Sequence, residues 1–204
     1  MSYPTEVEYL NLALNKIGQW SETDITANSH IAQLYRLHAP MVRRELLREH
    51  AWNFAIKRVQ LTNSTLTNVF GEEYRYALPS DYLQTIKLYE DEDGCYEIDK
   101  FKIEGGAVLI DCETAYLRYI ADITCTTDWS TDFVACAVLK LAARLAVPLG
   151  EGRDRAAELI QELEQLTLPQ AKLNNSWEDF SGENNPTQDR INNSTYVSQN
   201  NIYI

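Results

Sequence analysis

The chain has 204 residues, 45% of them hydrophobic and 24% charged, which suffices for one core in one domain, or one domain with a smaller insert. Its formal net charge of -12 argues against a general nucleic-acid binder, whose affinity comes from a basic face neutralising phosphates. No apolar run reaches the ~18–20 residues that cross a bilayer, and Met1 to Glu6 lacks a basic region followed by an apolar core, so neither a membrane span nor a signal peptide is expected.

Thr5 to Ile17 reads as a first helix. Thr5 and Glu8 have the spacing of a capping box, Leu10, Ala13, Leu14 and Ile17 form an apolar stripe, and Gly18 ends it. Ser29 to Glu49 is a second, longer helix with Ile31, Leu34, Tyr35, Met41, Val42 and Leu46 at helical spacing. Pro40 inside it predicts a kink or a split, because proline removes a ladder hydrogen bond and clashes with the preceding turn. Arg36, Arg43, Arg44 and Arg48 lie off the stripe, as a solvated face or a docking face for an acidic partner.

The stretch "REHAWNFAIKRVQL", residues 48–61, passes from helix pattern to strand pattern with no Gly or Pro between. Alternation from Phe54 onward suits a strand, and Trp52 and Phe54 read as the plug that packs the helix end onto a following sheet. Short strands are then expected at Tyr74 to Leu78, Leu83 to Tyr89, Cys95 to Ile98, Phe101 to Glu104, Ala107 to Asp111 and Ala115 to Ile120, arranged as a small meander. Gly105-Gly106 is a hairpin signal, since both residues tolerate positive φ.

Helix returns at Ser130 to Val147, capped by Ser130 or Thr131 and apolar over more than half its girth, hence central and buried. A fourth helix runs from Arg153 to about Leu168, where Pro169 should end or bend it, with Glu158, Glu162 and Glu164 facing outward. From Asn174 to Ile204 the chain is Asn-rich without period, and is expected to stay unstructured until it meets a partner. Trp177, Phe180, Ile191, Tyr196 and Tyr203 are isolated apolar anchors on that string, suited to lying on a partner surface.

The fold class is therefore α+β. It is an antiparallel bundle of about four helices (1–51 and 130–173) with an inserted antiparallel β-domain (52–129) and an extended tail (174–204).

Catalytic motifs are absent from the sequence. It has no G-x-x-x-x-G-K phosphate loop, no G-x-S-x-G elbow and no H-E-x-x-H. The four cysteines form no C-x-x-C pair and read as reduced structural thiols, and the three histidines have no metal spacing. The carboxylates at Asp91, Glu92 and Asp93 and at Glu162 and Glu164 sit in an exposed turn and on an exposed helix face, where both members stay ionised. No enzyme, cofactor or metal is expected.

The order "LLREHAWNFA", "YRYALPSDYL", "AYLRYIADIT" and "DWSTDFVACAVLKLAARLAVPLG" resembles the tail tubular protein A family, the head-to-tail adaptors of short-tailed bacteriophages. The shared features are Trp-Asn-Phe-Ala at the helix end, the Leu-Pro-x-Asp-Tyr turn at Leu78 to Tyr82, the Tyr-x-Arg-Tyr-Ile strand with Asp122 and Trp129 beyond it, and the helix ending at Pro148-Leu149. The resemblance covers about residues 5–170. It implies a dodecameric ring that joins the portal protein to the tail nozzle (a tail tubular B-like protein), often also holding tail fibres. DNA would pass through the lumen without specific binding, no membrane would be involved, and the protein would reside in the virion after synthesis in the host cytoplasm. The acidic balance suits a DNA conduit. Ring contacts are heterologous, and Arg36, Arg43 and Arg44 against Glu158 and Glu162 are the candidate subunit contacts. The alternatives are a tail-associated glycan hydrolase and a host-interaction module.

Overall fold

The computed structural model describes residues 4–62 and 71–178. The fold is α+β, a helical bundle carrying two small antiparallel sheets of three strands each.

Helix α1 (Glu6–Lys16) starts with the expected reciprocal cap: the Glu8 amide donates to Thr5 Oγ1 at 3.3 Å and the Thr5 amide to Glu8 Oε2 at 2.7 Å. Helix α2 (His30–Glu49) is capped by Ser29 and runs unbroken through Pro40. Of the kink or split expected there, the split does not occur. Tyr35, Ala39, Val42 and Leu46 are buried on both sides of the proline, and that continuous packing keeps both halves helical. Helix α3 (Thr131–Ala146), capped by Ser130, buries 11 of its 16 residues, which makes it the axis of the bundle. It packs against α1 and α2 and against the last helical rod.

That rod is longer than the sequence suggests. Helix α4 (Gly152–Glu162) passes through a π turn (Leu163–Thr167) into α5 (Leu168–Glu178). Pro169 does not end it. The Leu168 amide bonds five residues back to the Leu163 carbonyl, and Pro169, with no N–H to offer, follows where the ladder changes register. The helix therefore claims residues 174–178, which the sequence pattern assigned to the tail.

Among the described residues between α2 and α3 lie six strands: β1 (Ile56–Gln60), β2 (Tyr74–Ala77), β3 (Tyr82–Tyr89), β4 (Lys102–Glu104), β5 (Ala107–Ile110) and β6 (Tyr116–Ala121). They form two sheets rather than one meander. Sheet A has the order β1-β6-β3 and sheet B the order β2-β5-β4. Gly105 and Gly106, at φ 55 and 74, make the β4–β5 hairpin as expected. Phe54 lies in a single 3-10 turn (Asn53–Ala55) rather than in a strand, and the expected strand at Cys95 to Ile98 is reduced to one bridge, Tyr89 to Glu97.

Two cores result. The bundle core gathers Tyr9, Leu14, Leu46, Trp52, Trp129, Phe133 and Leu141, and takes Ala55 and Ile120 from the sheet side. The second lies between the sheets, with Leu88, Leu117 and Tyr119 of sheet A against Tyr76, Val108 and Ile110 of sheet B.

Candidate functional site at the junction of bundle and sheets

The β-insert enters and leaves the bundle through two tryptophans. Trp52 is 0% exposed and Trp129 is 2% exposed. Both rings meet Phe133 of α3 edge to face, with centroids 5.3 and 5.0 Å apart, and the half-buried Phe54 adds a third such contact at 5.1 Å. Each indole is also hydrogen-bonded, Trp52 Nε1 donating to the Leu46 carbonyl and Trp129 Nε1 to the Ile123 carbonyl, both at 2.9 Å. Burial, ring geometry and a buried donor's need for an acceptor thus fix both ends of the insert on one helix. Sequence reasoning singled out Trp52 and Phe54 but missed Phe133 as their hub. Phe133 stands three residues past the Ser130 cap, one more apolar position in an apolar helix, and nothing local distinguishes it.

A carboxylate ties the other side of the junction. Asp122, at the end of β6, accepts from Arg43 Nε at 2.7 Å and Arg43 Nη2 at 3.1 Å, a two-pronged fork, and from Arg44 Nε at 2.8 Å. The Asp122 and Arg43 side chains are only 10% and 12% exposed, whereas Arg44 is 60% exposed. Burial alone pushes the Asp122 carboxyl up, but the two guanidiniums outweigh it and hold it below the usual carboxylate range. Its backbone amide donates to the Asp81 carbonyl at 2.7 Å. Asp81 in turn takes Lys57 Nζ at 2.7 Å and the Tyr119 hydroxyl at 2.9 Å, and burial with that carboxylate pushes the Tyr119 phenol up to about 12. The Leu78 to Tyr82 turn, the β6 strand end and the helix α2 arginines therefore form one network.

A third tie joins the insert to the end of α5. Asn175, 7% exposed, accepts the Asn53 amide on Oδ1 at 3.0 Å, and its carbonyl accepts Asn53 Nδ2 at 2.9 Å. Its own Nδ2 lies 3.1 Å from His50 Nε2 and 3.3 Å from the Ala51 carbonyl. Asn175 belongs to the folded body and not to the tail. Replacing Asn175 with Ala strands the Asn53 amide and is expected to cost about 1–3 kcal/mol, read as a lower midpoint in urea denaturation at unchanged slope.

The candidate subunit contacts all have intrachain partners. Arg36 Nη1 donates to the Ile25 and Ala27 carbonyls at 2.5 and 3.0 Å, Glu162 takes Lys16 at 3.2 Å and Glu158 takes Arg155 at 2.9 Å. Arg44, Glu158 and Glu162 keep 60%, 65% and 41% exposure and can still face a neighbour. Arg43 cannot, because it is buried on Asp122, which corrects its reading as a surface residue. Among the tail anchors, Trp177 stands on α5 at 69% exposure, with Leu173 of the same helix at 50% and Leu166 of the π turn at 68%. Phe180, Ile191, Tyr196 and Tyr203 lie outside the described residues.

Of the carboxylates considered for acid–base work, Asp91 accepts the Tyr96 and Cys95 amides, at 2.8 and 3.1 Å, and these hold it below its usual range. That shift is opposite to the one a general acid needs. Among the described residues no group of three His, Cys, Asp or Glu is placed to hold a metal ion, and the four cysteines are free thiols. No helix among them is long and apolar enough to cross a membrane. In comparisons with known proteins, no family model matches the chain and no curated protein matches it.

Proposed function

We propose that this chain is a structural adaptor subunit that assembles as a ring between a phage portal and its tail nozzle, and lines the channel through which DNA leaves. The resemblance of its ordered motifs to the tail tubular A adaptors suggests the reading. One structural observation carries it: those motifs converge on the bundle–sheet junction, where Trp52, Trp129, Phe133, Asp81 and Asp122 fix the insert on the bundle. The chain spends its distinctive residues on an angle between two bodies. An assembly subunit needs that, since an angular error repeats around a closed ring.

The surface supports the same reading. Leu37 and Met41 on α2 are 60% and 48% exposed, and Leu166 of the π turn and Leu173 and Trp177 of α5 are 68%, 50% and 69% exposed. Such large apolar side chains are what a neighbouring subunit or portal would cover. The net charge of -12 keeps a DNA-facing wall from adhering to its cargo.

Light scattering on the purified protein, alone and mixed with purified portal rings, tests this. The expected result is a small species alone that joins portal as roughly a dozen copies, in keeping with closed cyclic symmetry. A monomer or dimer that ignores portal would overturn the proposal.

A further inference from the structure

Sheet A presents two faces. One packs on sheet B through Leu88, Leu117 and Tyr119. The opposite face is covered by the bundle at one end, where Ile120, Leu83 and Ile86 join the bundle core. Beyond that cover the same face carries a row of cations. Arg118 on β6 stands directly opposite Arg58 on β1 and Lys87 on β3. Like charges at paired positions repel, and an acidic protein has no general need of them there. Lys87 is met by Glu97 at 2.6 Å. Arg58 and Arg118 have no hydrogen-bond or ion-pair partner among the described residues.

The hollow beside them is unsatisfied in two senses at once. Among the described residues, Arg118 Nε is a buried donor without an acceptor, and Asn53 Oδ1 is a buried acceptor without a donor. Both residues line one hollow of about 450 Å³, together with Ile56 and Arg58. Buried polar atoms are nearly always paired, so two complementary orphans in one hollow mark a place built for a ligand with both a donor and an acceptor. A peptide group is such a ligand, and the guanidiniums add a call for carboxylates.

The chain supplies one at this spot. The described part of α5 ends at Glu178, whose Oε2 accepts from Asn53 Nδ2 at 3.4 Å. The next residues in sequence are Asp179-Phe180-Ser181-Gly182-Glu183, with two carboxylates four positions apart. Each residue extends reach by up to about 3.5 Å, so a start beside Asn53 puts the hollow within a few residues. We propose that the Arg58–Arg118 hollow is a docking site for the acidic segment Asp179–Glu183 of the same chain. Its carboxylates pair with the two guanidiniums, and its backbone supplies a donor for Asn53 Oδ1. A long polyanion such as DNA is a poorer occupant than a short segment, because it would have to continue along the adjoining groove, which Asp91, Glu92 and Asp93 line with Arg58 and Arg118.

A double-mutant cycle on the full-length protein tests this, with chemical unfolding as the readout. Arg58→Gln with Arg118→Gln is one arm, and Asp179→Asn with Glu183→Gln is the other. In the otherwise natural chain the arginine changes are expected to raise the unfolding constant about fivefold. In the chain lacking both carboxylates the same changes should become neutral or stabilising, since only the repulsion is then removed. Asp189→Asn, the next carboxylate along, controls for diffuse charge and should leave the arginine effect intact. Additive arms, or a control that couples as strongly as Asp179 and Glu183, would overturn the proposal. So would coupling that appears only as protein concentration rises, which would assign the hollow to a second copy.

Discussion

Asp122→Ala is expected to destabilise the protein by about 3–5 kcal/mol, because it leaves the Arg43 guanidinium buried without its counter-charge. The estimate rests on Arg43, at 12% exposure, and not on Arg44, whose 60% exposure leaves its share screened by water and salt. Thermal denaturation should show a midpoint lower by roughly 10 °C for a chain of this size. Arg44→Ala should move it little. Asp122→Asn, which keeps the shape and an acceptor oxygen but not the charge, should fall between.

The same pair sets an acid limb. The folded-state pKa of Asp122 lies below its unfolded value. A depressed carboxylate contributes stability that is fully present above the unfolded pKa, about 3.9, and is lost as pH falls through the folded value. Between pH 7 and pH 5 this term should therefore stay flat. Stability should fall below about pH 4, and the Asp122→Ala chain should lose less over that window than the parent. A profile as steep in the variant as in the parent would show that other carboxylates govern acid unfolding.

The elements were largely legible in the sequence because each rests on local chemistry. The Thr5–Glu8 box, the Ser29 and Ser130 caps and the Gly105-Gly106 turn lie where their residue types predict. Failures came where tertiary packing overrides a local rule. Pro40 reads as a kink or split and Pro169 as an end or bend, yet the helices run on through both, with buried residues flanking Pro40 and a π turn ahead of Pro169. Asn174 to Glu178 read as tail from composition, while Asn175 is buried by a partner 122 positions away. The site divides in the same way. Trp52 stands out by its size beside a pattern change. Arg43 looked like surface because helical phase alone cannot see Asp122, which is 79 residues distant. That Arg58 and Arg118 have no partner among the described residues depends on the pairing register of two strands, and no reading of either strand alone contains it.

Trp52→Ala should be the more damaging change for assembly, even where its effect on stability matches that of Asp122→Ala. The side chain is 0% exposed, and its loss removes a large apolar volume, about 3–5 kcal/mol by cavity formation. It also frees the Leu46 carbonyl that its indole N–H satisfies at 2.9 Å. Phe54→Ala removes a half-buried ring and should cost less. The two effects separate by geometry. Asp122 joins the insert to the flank of α2, whereas Trp52 and Trp129 hold its two ends on Phe133. With Trp52 gone, the entry strand keeps its pairing to β6 but loses its fixed attachment to the bundle. Trp52→Phe supplies the discriminating case, since it refills most of the volume without the N–H. If orientation is what a ring requires, Trp52→Phe should join portal in near-normal number while Trp52→Ala fails below its own melting temperature, as light scattering would read. Equal assembly by a folded Trp52→Ala chain would show that the junction serves stability alone and that the ring angle is set elsewhere.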